Sequence, residues 1–175
     1  MLKSINPTAQ QSQRWIRKAL LDLMENTEYD KITVTGICRR AELDRRTFYR
    51  NFDSKNDVLE QYINLLSEEY IKSFAEIDST SRYAAAKFFF EFWGQHSDFI
   101  RNIKISGLSD FIFKRFEKFT REHRELLIGS DIRKLPEEYV FAYRIGGFWN
   151  VMLQWADHEE RLSPDEMASI LTQIG

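Results

Sequence analysis

Arg45, Arg46, Thr47, Tyr49 and Arg50 stand within six consecutive positions, and Asn51 and Lys55 follow closely. An arginine matches the two acceptors of a guanine edge bidentately, a threonine methyl packs on the methyl of thymine, and a tyrosine hydroxyl bonds phosphate oxygens. Phe48 and Phe52 lie four residues apart on the same segment. On a helix turning about 100° per residue, those two rings share one face. Arg46 and Arg50 then project from the opposite face with Thr47 beside them, and Arg45 and Tyr49 flank it. Lys55 sits where the next helix begins, so its ammonium and the backbone N–H groups there are placed to hold one phosphate. A charged run on a helix is ordinarily only a solvated face. Here caps, turn and arginines all agree on one motif, a helix built to enter the major groove of DNA.

Such a helix needs neighbours to hold it. Thr33 caps a preceding helix whose inward positions are Val34, Ile37, Cys38 and Ala41, and Ile32 is suited to pack back on its first turn. Asp44 offers the cap of the arginine-bearing helix, which leaves Glu42 and Leu43 for the turn, with Leu43 pointing inward. Ser54 and Asp57 form a capping-box pattern that opens a third helix, with Val58, Leu59 and Tyr62 at core spacing. An opening helix over residues 10–26, with Ile16, Ala19, Leu20 and Leu23 inward, completes the unit.

The succession Thr33-Val34, Ile37, Ala41, Leu43, Thr47-Phe48-Tyr49, Phe52, Ser54-Lys55 and Leu59 resembles the N-terminal domain of the TetR family of transcriptional regulators. The resemblance implies base contacts from Thr35, Arg45, Arg46 and Arg50, and contacts to the DNA backbone from Thr33, Tyr49, Asn51 and Lys55. It also implies a homodimer on palindromic double-stranded DNA. One position departs from the family pattern: the turn commonly has glycine where this chain has Glu42. A non-glycine residue there is expected to adopt a left-handed backbone at modest steric cost, with its carboxylate turned away from phosphates.

The formal net charge of −2 and a pI near 6.0 do not suggest a nucleic-acid binder when the chain is taken whole. Between Lys31 and Lys55, however, 7 basic residues face 3 acidic ones, so the positive field is local to the DNA-facing segment. The single cysteine, Cys38, excludes an intramolecular disulfide and fits a reducing cytoplasm, and its position reads as a small core residue. His96, His123 and His158 are scattered, without metal-ligand spacing. No nucleophile, base and orienting group fall together, and no phosphate loop appears. An enzyme is therefore the weakest reading, and no catalytic residue, metal or cofactor is expected. The first residues lack the apolar segment of a signal peptide or anchor.

The remaining chain reads as helix throughout, giving an all-α fold with a helix-turn-helix domain over 1–58 and a helical effector-binding and dimerisation domain over 59–175. The pattern predicts helices from 54 to about 77, then 82–95, 97–105, 108–127, 136–158 and 163–174, with a polar break over 78–82. From Tyr139 to Trp155 only Arg144, Asn150 and Gln154 are plainly polar. A helix apolar nearly all round must be covered on both sides, so one side is expected to meet a second subunit. Arg144 and the acidic flanks argue against a membrane span. Gly146 and Gly147 let another helix approach, and Gly147, Val151, Trp155, Met167 and Ile170 are the expected dimer contacts, in a four-helix interface that the resemblance also implies.

Residues 88–119 are rich in aromatics, a pattern that more often marks core than pocket. The family commonly encloses a small-molecule effector here, which makes Phe89, Phe92, Trp93, His96, Phe116, Tyr143 and Asn150 the candidate ligand residues, with Asn102 a further polar group nearby. The segment from Gly146 to Glu166 also resembles the subgroup that includes a regulator of dihydroxyacetone kinase operons, some members of which act as coactivators. The leading expectation is an effector-controlled homodimeric repressor in the cytoplasm. The alternative is a coactivator or adaptor whose C-terminal domain binds a protein partner.

Overall fold

The structure is a computed structural model, and it describes residues 7–77, 81–123 and 136–174. Every regular element among them is helical: α1 (Pro7–Met24), α2 (Val34–Ala41), α3 (Arg45–Asn51), α4 (Lys55–Phe74), α5 (Arg82–Gln95), α6 (Ser97–Ile105), α7 (Ser109–Glu122), α8 (Glu137–Asp157) and α9 (Pro164–Ile174), with a short 3-10 turn at Tyr29–Lys31. The all-α expectation therefore holds, and most boundaries fall within a few residues of those the pattern predicts. α1 starts three residues early because Pro7 suits a first helical position, where no N–H is required. The expected residues 124–127 of the seventh helix, the centre of the polar break at 78–80 and the first six residues lie outside the described ones.

The chain divides into two compact units. The first comprises the described residues up to Ser67 together with Ile105–Gly107. Ile16, Leu20 and Met24 of α1, Ile37 of α2, Phe48 and Phe52, and Val58 and Leu59 of α4 are all buried and make one core. α1 packs on both α2 and α3. Arg40 fastens α2 to α1 through Asp22, with Nη2 and Nε donating to Oδ2 at 2.7 and 3.1 Å. Ser106 closes this unit from afar: its hydroxyl donates to the Met24 carbonyl at 3.3 Å, and its carbonyl accepts from the Tyr29 N–H at 3.4 Å.

Among the described residues, the second unit holds 68–77, 81–104, 108–123 and 136–174. α9 packs along α5, tied by Asp165, which accepts from the Tyr83 hydroxyl and the Lys87 ammonium, both at 2.7 Å. The Ser163 hydroxyl accepts from the Glu166 N–H, and the Glu166 carboxylate accepts from the Ser163 N–H, so a reciprocal capping box starts α9. Glycine at position 94 of α5 allows a close approach: a Cβ there would stand 3.1 Å from the Trp155 ring, so the ring would have to shift by a few tenths of an ångström.

Candidate nucleic-acid interface

Thr33 has an extended backbone, and its hydroxyl accepts from the Gly36 N–H at 3.1 Å, which starts α2. α2 stops at Ala41 because Glu42 turns left-handed, with φ 55° and ψ 38°. That conformation is the one expected for this position, and its Cβ crowds the carbonyl oxygen at a cost of about 1–2 kcal/mol. Glu42→Gly should raise stability by about 0.5–1 kcal/mol, because relief of that crowding exceeds the added freedom of the unfolded chain. Urea denaturation checks this, and an unchanged or lower midpoint would contradict it.

The Asp44 carboxylate accepts from the Thr47 N–H at 2.6 Å and thereby caps α3. Hydrogen bonds from Thr47 hold this exposed carboxyl below its ordinary pKa, so the cap is charged at neutral pH and carries the negative charge that a helix N-terminus favours. α3 is only 7 residues long, too short to persist in water by itself. Burial of Phe48 and Phe52 fixes it and sets its rotation.

With the phenylalanines inward, Arg45, Arg46, Tyr49 and Arg50 are all exposed, and Thr47 is half-buried between them. Arg45 leans on Tyr49, its Nη2 donating to the hydroxyl at 3.4 Å and its guanidinium lying 5.8 Å from the ring centre. Asn51 is half-buried, with its amide donating to the Thr47 carbonyl at 2.7 Å. Thr33 and Thr35 are exposed on the first turn of α2. Lys55 is placed otherwise: its ammonium donates to the carbonyls of Tyr29, Ile32 and Asp30. The sequence offered no sign of this, since a three-residue 3-10 turn leaves no periodic pattern.

The candidate ligand residues separate into three places. Phe89, Phe92 and Trp93 gather about Tyr70, a buried residue of α4 that the sequence reading did not single out, and His96 lies against Phe92 and Trp93. The Tyr70 ring centre lies 5.1 Å from that of Phe92 and 5.2 Å from that of Phe88, and further neighbours follow out to 6.5 Å, so these side chains pack on one another. Burial lowers the His96 pKa, with Glu69 opposing weakly, which keeps the ring neutral at pH 7. Phe116 lies instead against Trp149, at 5.7 Å, and Asn102 is buried in α6. Tyr143 is 70% exposed, and Asn150 faces solvent with its amide donating to the Gly146 carbonyl. Neither stands with the aromatic group.

The expected dimer contacts also divide. Trp155 is buried in its own unit, its ring 5.0 Å from that of Phe90 and its N–H donating to the Leu162 carbonyl at 2.8 Å. Met167 is likewise buried. Val151 is half-buried, whereas Gly147 and Ile170 are exposed. α8 is thus two-sided: Phe141, Ile145, Trp149 and Met152 face inward, and Tyr139, Tyr143, Gly147 and Asn150 face out.

No three His, Cys, Asp or Glu side chains among the described residues are grouped to hold a metal ion, and no described helix is long and apolar enough to cross a membrane. A capped pair of short helices, with arginines outward on the second, is the geometry of a helix-turn-helix DNA-binding protein. Residues 16–62 match the family described as bacterial regulatory proteins, tetR family, and residues 83–174 match a transcriptional regulator C-terminal region of the TetR type. The chain belongs to the TetR family of transcriptional regulators.

No curated protein matches the sequence. Among solved structures, a TetR transcriptional regulator from Streptococcus agalactiae 2603V is similar with a TM-score of 0.69 at 20% identity, over 95% of each chain. The dihydroxyacetone kinase operon activator DhaS is similar with a TM-score of 0.53 at 19% identity, over 93% of each chain. At these identities the likeness is one of fold.

Proposed function

We propose that the protein works as a homodimer that represses transcription by placing two copies of α3 in successive major grooves of a palindromic operator, under control of a small-molecule effector. The observation that carries the DNA-reading part is the outward face of α3: among the described residues, no hydrogen bond or ion pair within the chain engages the Arg46 or Arg50 guanidinium. On this reading Thr35, Arg45, Arg46, Thr47 and Arg50 meet base edges, while Thr33, Tyr49 and Asn51 meet the backbone. Selecting bound duplexes from random DNA with the purified protein tests it. The expected product is a two-fold symmetric site with half-site centres about one helical turn apart. Failure to enrich any sequence would refute it.

The outer face of α8 supports the dimer. A Cβ built on Gly146 or Gly147 meets nothing within 4 Å among the described residues, so their packing does not require glycine there, although each costs about 1 kcal/mol relative to alanine inside a helix. A close-approaching partner helix accounts for both. Tyr139 and Tyr143 flank this spot, and Ile170 and Ile174 lie exposed on α9. Gly147→Glu is expected to leave the single chain folded and to shift it from dimer to monomer in sedimentation at micromolar concentration. A Gly147→Glu protein that still sediments as a dimer would place the interface elsewhere.

The effector part rests on the family and on the aromatic group of Tyr70, Phe89, Phe92, Trp93 and His96, between whose rings a small molecule would have to insert. Coupling of about 1–3 kcal/mol between effector and DNA would be reciprocal. One observation favours a second reading: these rings pack on one another, and the neighbour DhaS is described as an activator. On that reading the C-terminal domain binds a protein, and the protein acts as a coactivator. A small apolar compound that changes DNA affinity and is itself bound more tightly or weakly with DNA present decides for the first.

A further inference from the structure

α4 opens on a cation. Lys55 is its first residue, at the end of a helix where the free N–H groups already make the potential positive and an ammonium is disfavoured. Three carbonyl oxygens compensate, from Tyr29 at 2.6 Å, Ile32 at 2.9 Å and Asp30 at 3.3 Å. All three ammonium donors are thus engaged by one stretch of backbone, the 3-10 turn and the residue that follows it. The same ammonium lies 4.5 Å from the centre of the Tyr29 ring, within cation–π reach. Tyr29 is buried, and its hydroxyl donates to Oδ1 of Asn56 at 2.8 Å. Two adjacent residues of α4 therefore grip the turn by its backbone and by its side chain. The turn leads directly to buried Ile32 and to Thr33, the cap of α2.

We propose that Lys55 serves DNA recognition as a positioning residue: it fixes the turn at 29–32, and with it the start of α2 where Thr33 and Thr35 face outward, instead of contacting phosphate itself. A phosphate oxygen would have to displace carbonyls that already satisfy every donor of this ammonium. The role differs from the backbone contact that the family resemblance implies for this position, and it rests on the DNA-binding reading above.

Affinity for a duplex selected by the wild-type protein, measured across a range of salt, separates the two roles. Each phosphate neutralised contributes about 0.9 to the slope of log affinity on log salt. Lys55→Gln should weaken binding about tenfold, the effect of losing charge-assisted hydrogen bonds, with the slope unchanged. Lys55→Arg should not restore it, because a planar guanidinium cannot aim three donors at carbonyls gathered about one point. Asn56→Ala, at an exposed residue, should cost about two- to threefold at the same slope. A slope lowered by about 0.9 in Lys55→Gln and restored by Lys55→Arg would overturn the proposal, as would wild-type affinity in Lys55→Gln. Where circular dichroism shows Lys55→Gln unfolded, Asn56→Ala decides: weaker binding at unchanged slope supports the positioning role, and wild-type affinity overturns it. A wild-type protein that binds no duplex overturns the DNA-binding reading beneath it as well.

Discussion

Phe48→Ala is expected to cost about 3–5 kcal/mol of folding free energy and to weaken DNA binding strongly by loosening the first unit's core. The Phe48 ring is fully buried, with ring centres of Tyr49 at 5.4 Å and Phe52 at 6.0 Å. α2 and α3 have 8 and 7 residues, well below the roughly 12–15 at which an isolated helix becomes even marginal in water. Their helicity is therefore borrowed from the shared core, and the cavity left by the ring falls where α1, α2 and α3 converge. Against a typical total of about 5–15 kcal/mol, the loss is a large share of the stability and leaves a substantial unfolded fraction where that total lies near its lower end. Thermal melting followed by circular dichroism, with proteolysis to locate the opened region, checks the result. A midpoint within a few degrees of wild type would show that the core closes around the gap.

Arg46→Ala is expected to act in the opposite way, leaving the fold intact and costing about 1–3 kcal/mol of specific DNA affinity. The side chain is exposed and engages no partner among the described residues of the chain, so its removal opens no cavity and strands no buried charge. The loss should be confined to one position in each half-site, where preference relaxes. Tyr49→Phe makes the comparison, because a hydroxyl on phosphate carries no sequence information and its removal should weaken specific and random duplexes alike. Competition binding with both kinds of duplex measures the contrast. Equal losses on both for Arg46→Ala would take Arg46 out of base reading.

The helix-turn-helix was legible because each of its parts has a local chemical signature. Thr33 and Asp44 cap the helices they precede in the sequence, and the Phe48–Phe52 spacing fixes which way the arginines point. Lys55 was legible as a cation at a helix start, but not in its partners. Those are backbone carbonyls more than twenty residues earlier, which no side-chain pattern announces. The rotation of α8 was hidden for the converse reason. With apolar residues nearly all round, its sequence carries no contrast between faces, so Trp155 inward and Tyr143 outward emerge only from packing on α5 and α7 and from the Trp155 bond to Leu162. Tyr70 was missed because it continues a long helix whose role looked exhausted by its first turns.

Ser106 gives the protein an order of assembly. The first unit is not a continuous stretch of chain: α1, α2 and α3 are complete by residue 51, yet the carbonyl of Met24 and the N–H of Tyr29 meet their partners only at residue 106. During synthesis, the arginine-bearing helix leaves the ribosome long before the serine that closes the unit around it. Full closure of the DNA-reading part therefore waits on translation well into the second unit, and a nascent chain halted before that point cannot complete it.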